Sequence, residues 1–226
     1  TGEIKLVSFL RDLYVKIPNH GKTRLNAAYV YGGASLLTQT LQNNFGVSAD
    51  RTVAVNFSLM VTLIDRLGGV TVDVSEKERK QVNSIPRFYN EKNGWPEDDE
   101  LLYGSGNQLL TGKQALCYSR IRKIDSDFQR VGRQRKVLTA LYQKARETNP
   151  LTLISIALDL LPQVKTDLTA ADAAALIPLM LRLDTVTITG LTVPVDGGYE
   201  SQTISGMSVL VPYLEKNKNA VEKFLQ

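Results

Sequence analysis

Between Arg120 and Lys136 the chain carries seven basic residues (Arg120, Arg122, Lys123, Arg130, Arg133, Arg135, Lys136) against two acids, Asp125 and Asp127. That surplus of five exceeds the net charge of +4 carried by all 226 residues. A guanidinium is a planar fork of donors that grips phosphate through two parallel hydrogen bonds and stays charged at physiological pH. Several gathered on a folded scaffold point to an anionic ligand, with phosphate or pyrophosphate first. The bland alternative is an Arg–Asp network joining two elements, but the arginines outnumber the acids by more than such a network needs.

Two elements have to position these side chains. Thr111 opens a capped turn, TGKQAL, and YSRIRK then reads as extended, which puts Tyr118, Arg120 and Arg122 on one face, with the two arginine Cα atoms about 7 Å apart. Asp125 or Ser126 caps a helix that runs from Asp127 into KVLTALYQKARE. With Phe128 at zero on a helical wheel, Val131, Leu138, Leu141, Tyr142 and Ala145 fall between about 220° and 320°, the expected buried face. Asp127, Gln134 and Arg130 fall at about 260°, 240° and 200°, along the same stripe. Inward charges need partners or a polar cavity, because burying an unpaired ion costs several kcal/mol. The free backbone N–H groups and positive dipole end of the helix add to an anion site there. Arg133, at about 140°, reads as solvated or at the rim, and Lys136 as solvated.

Elsewhere the pattern alternates strands with helices, which argues for an α/β layered fold with a mixed or parallel sheet. TGE reads as a hairpin turn feeding the strand IKLVSFL, which delivers Arg11 and Asp12 to its C-terminal end, the edge where open α/β sheets bind ligands. Asn26 caps a helical pattern weakened by Gly32 and Gly33, so a loop followed by a helix from Ala34 or Ser35 is an equal reading. TVAVNF reads as a buried strand, SLMVTLIDRL as a helix closed by Gly68 and Gly69, and VTVDVS as another strand. From Glu76 to Gly106 the pattern dissolves into a polar stretch in which Phe88, Tyr89 and Trp95 either line an entrance or pack locally. LTLISIALDLLPQV, TAADAAALIPLMLRL and VLVPYLEKNKNAVEKFLQ read as helices and VTITGLTVP as a strand. With 43% hydrophobic residues the chain is expected to form one domain, residues 1–226.

Composition removes several classes. One cysteine, Cys117, and one histidine, His20, exclude a disulfide framework and a His/Cys zinc site. Cys117 in ALCY reads as a small buried hydrophobe, and His20, between Asn19 and Gly21, as a solvated turn. No run of about 18 apolar residues and no signal peptide is present. GNQLLTGKQ fails as a P-loop, having five residues between its glycines and Gln114 where Ser or Thr is required. A pI near 9.1 without interleaved aromatics argues against nucleic acid.

These segments together resemble the LytR-CpsA-Psr family of phosphotransferases, which attach anionic glycopolymers to the bacterial cell wall. LVSFLRDLYVKIP, TRLNAAYVYGG and LIDRLGGVTVDV match family stretches, and LLTGKQALCYSRIRKIDSDFQRVGRQRKVL, with Arg-X-Arg, Asp-Ser-Asp-Phe and Arg-X-X-Arg-Gln in order, is the most specific. The resemblance implies a three-layer α/β/α fold with a mixed central sheet and a hydrophobic tunnel for a polyprenyl chain. It implies that Arg11, Arg120, Arg122, Arg130 and Gln134 contact the lipid's pyrophosphate, and that Asp127 orients the phosphates or assists a metal. Arg24, also expected to bind the pyrophosphate, stands where lysine is common, adding a fork, and Leu10 where proline is common. Arg11, Arg120, Arg122 and Asp127 are thereby the expected catalytic residues.

The implied reaction moves a glycopolymer-phosphate, teichoic acid or capsule-like, from a polyprenyl-pyrophosphate carrier to peptidoglycan with Mg²⁺. The Mg²⁺ aspartates belong to N-terminal strands that this sequence lacks, and so does the membrane helix that would hold the domain on the extracytoplasmic face of a bacterial membrane. No metal ligand is therefore expected within residues 1–226. A polyprenyl-pyrophosphate hydrolase and a non-catalytic lipid-pyrophosphate or polyanion-binding module are the rival readings.

Overall fold

The computed structural model describes residues 2–93, 100–169, 172 and 186–226. In chain order its elements are β1 (Gly2–Phe9), β2 (Tyr14–Ile17), β3 (Gly21–Arg24), α1 (Asn26–Phe45), β4 (Val53–Ala54), α2 (Phe57–Arg66), β5 (Val70–Val74) and α3 (Glu76–Asn93). They continue with β6 (Gly106–Leu110), α4 (Gly112–Ser119), α5 (Asp127–Glu147), α6 (Pro150–Leu160), β7 (Lys165–Thr166), β8 (Val186–Val193), β9 (Tyr199–Ile204), β10 (Met207–Pro212) and α7 (Leu214–Leu225). The fold is α/β, with β1 and β8 parallel and four antiparallel pairs among the described residues. Two compact units emerge, residues 1–52 with 167–226, and residues 53–166.

In the first unit β1 runs beside β8 in register from Gly2↔Val186 to Phe9↔Val193. Gly2 and Glu3 are thus strand residues, not a turn, because both find ladder partners in β8. Leu10 donates its N–H to the Val193 carbonyl at 2.8 Å, prolonging the ladder with a bond that proline could not make. Helices α1 and α7 pack together, and α7 also lies on β1 and β8. Leu13, Val15, Ile17, Phe45, Val193, Val209 and Val221 form the buried interior. Asn217, fully buried, accepts from the Val195 N–H (2.8 Å) and donates to the Gly198 (2.6 Å) and Tyr213 (2.9 Å) carbonyls, so its amide is satisfied.

Both readings of the first helix hold a part of the truth. Helix α1 begins at Asn26 but breaks at Gly32 and Gly33, the latter at φ +63°, before resuming. Its N-cap is Leu25, and Asn26 makes no side-chain cap. The C-terminal segment is corrected more deeply. Residues 209–212, expected as helix, belong to strand β10, paired antiparallel with β9 across Ser205–Gly206, and only Leu214–Leu225 is helical.

The second unit folds around the antiparallel β5–β6 pair, whose Val70, Val72 and Val74 alternate inward against Ile64, Val82, Leu110, Tyr118, Ile121 and Val137. Asn56 caps α2 by accepting from the Leu59 N–H at 2.8 Å, and Gly68 and Gly69, both at positive φ, turn the chain into β5. A Cβ on Gly112 would collide with the Val61 backbone, so this glycine is what lets α4 touch α2. TVAVNF is not a buried strand: only Val53 and Ala54 pair, and Val53, Val55 and Phe57 are exposed. Of the stretch expected to lack pattern, residues 76–93 are helix α3, where Glu78 closes a cap by accepting from the Ser75 N–H and hydroxyl at 3.0 and 2.9 Å, while residues 101–105 carry no regular structure. The side chains of Phe88, Tyr89 and Trp95 and the run TAADAAALIPLMLRL lie outside the described residues, apart from Thr169 and Asp172. No described helix is long and apolar enough to cross a membrane.

Candidate functional site

The arginine segment is built by the joint between α4 and α5. Thr111 and Gln114 form a reciprocal capping box, with Thr111 Oγ1 accepting from the Gln114 N–H (3.3 Å) and Gln114 Oε1 from the Thr111 N–H (3.0 Å). This start commits residues 112–119 to helix, so the strand expected at YSRIRK does not form. Arg120 is the C-cap of α4, and residues 121–126 are a loop before α5. Arg120 and Arg122 therefore do not share a strand face. Arg120 lies over the exposed ring of Phe57, 4.7 Å from its centroid, a cation–π contact. Arg122 is exposed on the loop, with no ion pair among the described residues.

Ser126 is the N-cap residue of α5, without a side-chain cap bond. Asp127, half-buried in the first turn, accepts from Arg130 Nη1 at 2.7 Å, and Arg130 is 6% exposed. Gln134 is exposed and reaches the Ser119 carbonyl at 3.5 Å. Arg130 thus points inward as the wheel required, whereas Gln134 does not.

The buried face of α5 is turned from the expected one. It holds Arg130, Val131, Arg133, Val137 and Ala140, while Leu138 is 44% exposed. Arg133 is the cause. Far from the rim, it is 4% exposed, with Nη1 and Nη2 donating to the two oxygens of Asp125 at 2.6 and 2.7 Å. Nη2 also donates to the Ile121 carbonyl at 2.8 Å, and Glu78 Oε1 lies 3.5 Å from Nη1. A wheel gives the direction of a side chain but not its distant partners. It misses an acid eight positions away that reaches the guanidinium through a loop. The only sequence signal was the position of Arg133 beside Val137 and Ala140 on the wheel.

Electrostatics follow the packing. Hydrogen bonds and charge from Arg133 hold the Asp125 carboxyl below the usual carboxylate range. Burial, then the charge of Glu78, pushes the Tyr118 hydroxyl well up, and burial raises Cys117 to about 11 against the pull of Arg120 and Lys113. Cys117 is accordingly the buried hydrophobe expected.

Arg11 and Arg24 belong to the first unit. Arg11 stands just past β1, and its Nε donates to Asp12 Oδ2 at 3.1 Å. Arg24, at the end of β3, donates Nη1 to Asp12 Oδ1 at 3.4 Å, so one carboxylate holds two guanidiniums that each remain about two-fifths exposed. His20 is exposed in its turn, with its ring stacked on Tyr31 at 4.5 Å.

The carboxylates beside the arginines do not suit a divalent cation. Asp12, Asp125 and Asp127 each face at least one guanidinium, and no group of three or more His, Cys, Asp or Glu that could hold a metal ion occurs among the described residues.

The chain is of the α/β class, with an arginine-bearing loop leading into the N-terminus of α5. Within that class the chain belongs to the LytR_cpsA_psr family, whose profile matches residues 1–223. Among its relatives, the polyisoprenyl-teichoic acid–peptidoglycan teichoic acid transferase TagT of Bacillus subtilis (strain 168) is 32% identical over 189 residues, covering 83% of this chain and 56% of its own length. The structure of TagT bound to LIIa-WTA superposes with a TM-score of 0.77 at 28% identity, over 98% of this chain and 78% of that one. That of the LytR-CPS2A-psr family protein YwtF (TagT) with bound octaprenyl pyrophosphate lipid gives 0.72 at 25%, over 98% and 77%. The chain spans about half the length of the curated relatives it matches.

Proposed function

We propose that this chain is the catalytic part of a phosphotransferase that moves an anionic glycopolymer from a polyprenyl-pyrophosphate carrier to a hydroxyl of peptidoglycan, outside the bacterial cytoplasmic membrane. The observation that supports it is the exposed arginine loop ahead of α5, in a chain that matches the family almost end to end. In the reaction the acceptor hydroxyl loses its proton and attacks the glycopolymer-bearing phosphorus. The bond to the bridging oxygen breaks, and polyprenyl monophosphate leaves. Charge builds on the phosphoryl oxygens, and fixed guanidiniums stabilise it without reorganising.

Arg120 supplies that charge from the end of α4, Arg122 from the loop, and Arg130 from the first turn of α5, where Asp127 orients it. Gln134 adds a neutral donor. Arg11 and Arg24 keep the phosphate contact that the motif match gives them. The lipid tunnel, a capsule-like alternative to teichoic acid, a membrane anchor and a Mg²⁺ requirement belong to the same proposal. No step is routed through the metal, because the described carboxylates do not fit it.

The test is transfer in the full-length protein. Arg122→Ala should slow it by about 2–4 kcal/mol, roughly 30- to 1,000-fold. Near-native transfer by that variant rules the assignment out, and release of free phosphate without labelled peptidoglycan favours the hydrolase.

A further inference from the structure

The loop that presents Arg122 is tethered at both ends by one side chain. Ile121, fully buried, gives its carbonyl to Arg133 Nη2, and Asp125 gives both carboxylate oxygens to the same guanidinium. Between the tethers stand only Arg122, Lys123 and Ile124, all exposed. The Nη atoms of Arg133 are fully engaged by Asp125, Ile121 and, at 3.5 Å, Glu78 of α3, and Arg133 Nε is buried without a hydrogen-bond partner. A guanidinium so committed and 4% exposed has no fork to offer a ligand. The other arginine of α5's first turns, Arg130, instead pairs with half-buried Asp127.

We infer that Arg133 is a positioning residue for phosphate recognition: from the core it sets the conformation of the three-residue span that carries Arg122, and it does not itself touch the phosphates. This rests on the phosphate-binding reading of the loop proposed above. Its physical basis is preorganisation. A flexible three-residue span must be ordered when the anion binds, and a span already fixed by a bidentate ion pair and a backbone bond avoids that entropy cost. Arginine is required, because lysine cannot hold two carboxylate oxygens and a carbonyl in one plane.

The experiment is a double-mutant cycle on the full-length protein. Affinity for geranylgeranyl pyrophosphate and for geranylgeranyl monophosphate is measured for wild type, Arg133→Gln, Arg122→Ala and the double variant, beside each melting temperature. A positioning role predicts that Arg133→Gln weakens pyrophosphate binding by about tenfold, that the pyrophosphate-over-monophosphate preference shrinks, and that Arg122→Ala has little further effect in that background. Arg133→Lys should not restore the preference. If the two single effects multiply in full, or if Arg133→Gln lowers the melting temperature but leaves the preference intact, Arg133 is structural only and the inference fails alone. If Arg122→Ala itself leaves pyrophosphate binding unchanged, the phosphate reading of the loop fails and takes the inference with it. Should Arg133→Gln not fold, Asp125→Asn loosens the same tether from the loop side and takes its place in the cycle, with the same outcomes deciding.

Discussion

Arg133 and Asp125 meet as a bidentate pair, Nη1 to Oδ2 at 2.6 Å and Nη2 to Oδ1 at 2.7 Å, with the guanidinium in the core and the carboxylate on the loop. The pair depresses the folded-state pKa of Asp125. As pH falls the unfolded chain takes up the proton first, so the stabilisation is fully present above the ordinary carboxylate pKa and is lost as pH drops through the lower folded value. Urea unfolding midpoints should therefore hold from neutrality to the ordinary carboxylate pKa and fall below it. In Asp125→Asn that part of the acid dependence should vanish. An unchanged acid limb in the variant would show that other carboxylates carry it.

Phe57 offers Arg120 an aromatic platform. The ring is exposed and the guanidinium lies 4.7 Å from its centroid, a contact worth about 0.5–1 kcal/mol at such a site. Phe57→Ala should weaken prenyl pyrophosphate binding about two- to fivefold, while Phe57→Trp keeps or improves it. Equal affinities for all three would mean that Arg120 needs no platform.

Cys117, raised to about 11 by burial, should be almost wholly protonated at neutral pH. Iodoacetamide should modify it slowly in the native protein and at ordinary thiol rates in denaturant, with mass spectrometry following the adduct. Fast native labelling would show that α4 opens readily.

Arg–carboxylate pairing at Asp12, Asp125 and Asp127 leads to an expectation about metal. Geranylgeranyl pyrophosphate should bind residues 1–226 in the presence of EDTA, and added Mg²⁺ should change the affinity by no more than about threefold. A large gain with Mg²⁺ in calorimetry would mean that these aspartates give up their arginines to the ion.

The packing of α4 on α2 depends on Gly112, where a Cβ would strike the Val61 backbone. Gly112→Ala should destabilise by about 1–3 kcal/mol through overpacking, read by denaturant unfolding. A neutral effect would show that the two helices separate at no cost.

The sequence by itself determined the family, the α/β character, and which residues to watch. The alternation of Val70, Val72 and Val74, the Gly68–Gly69 stop and the Thr111 cap are local codes, each set by residues a few positions apart. The inward turn of Arg130 was also legible, since helical periodicity is local. What only the tertiary structure decided were choices between local codes and distant partners. YSRIRK has strand alternation, yet the capping box behind it and the buried site awaiting Tyr118 make its first residues helix. VLVP resembles the start of a helix, yet β9 offers it a ladder. Arg133, at about 140° on the wheel, reads as solvated or at the rim. It is buried because Asp125, Ile121 and Glu78 converge on it from a loop and a second helix, and burial of a charge is decided by partners that sequence spacing does not encode.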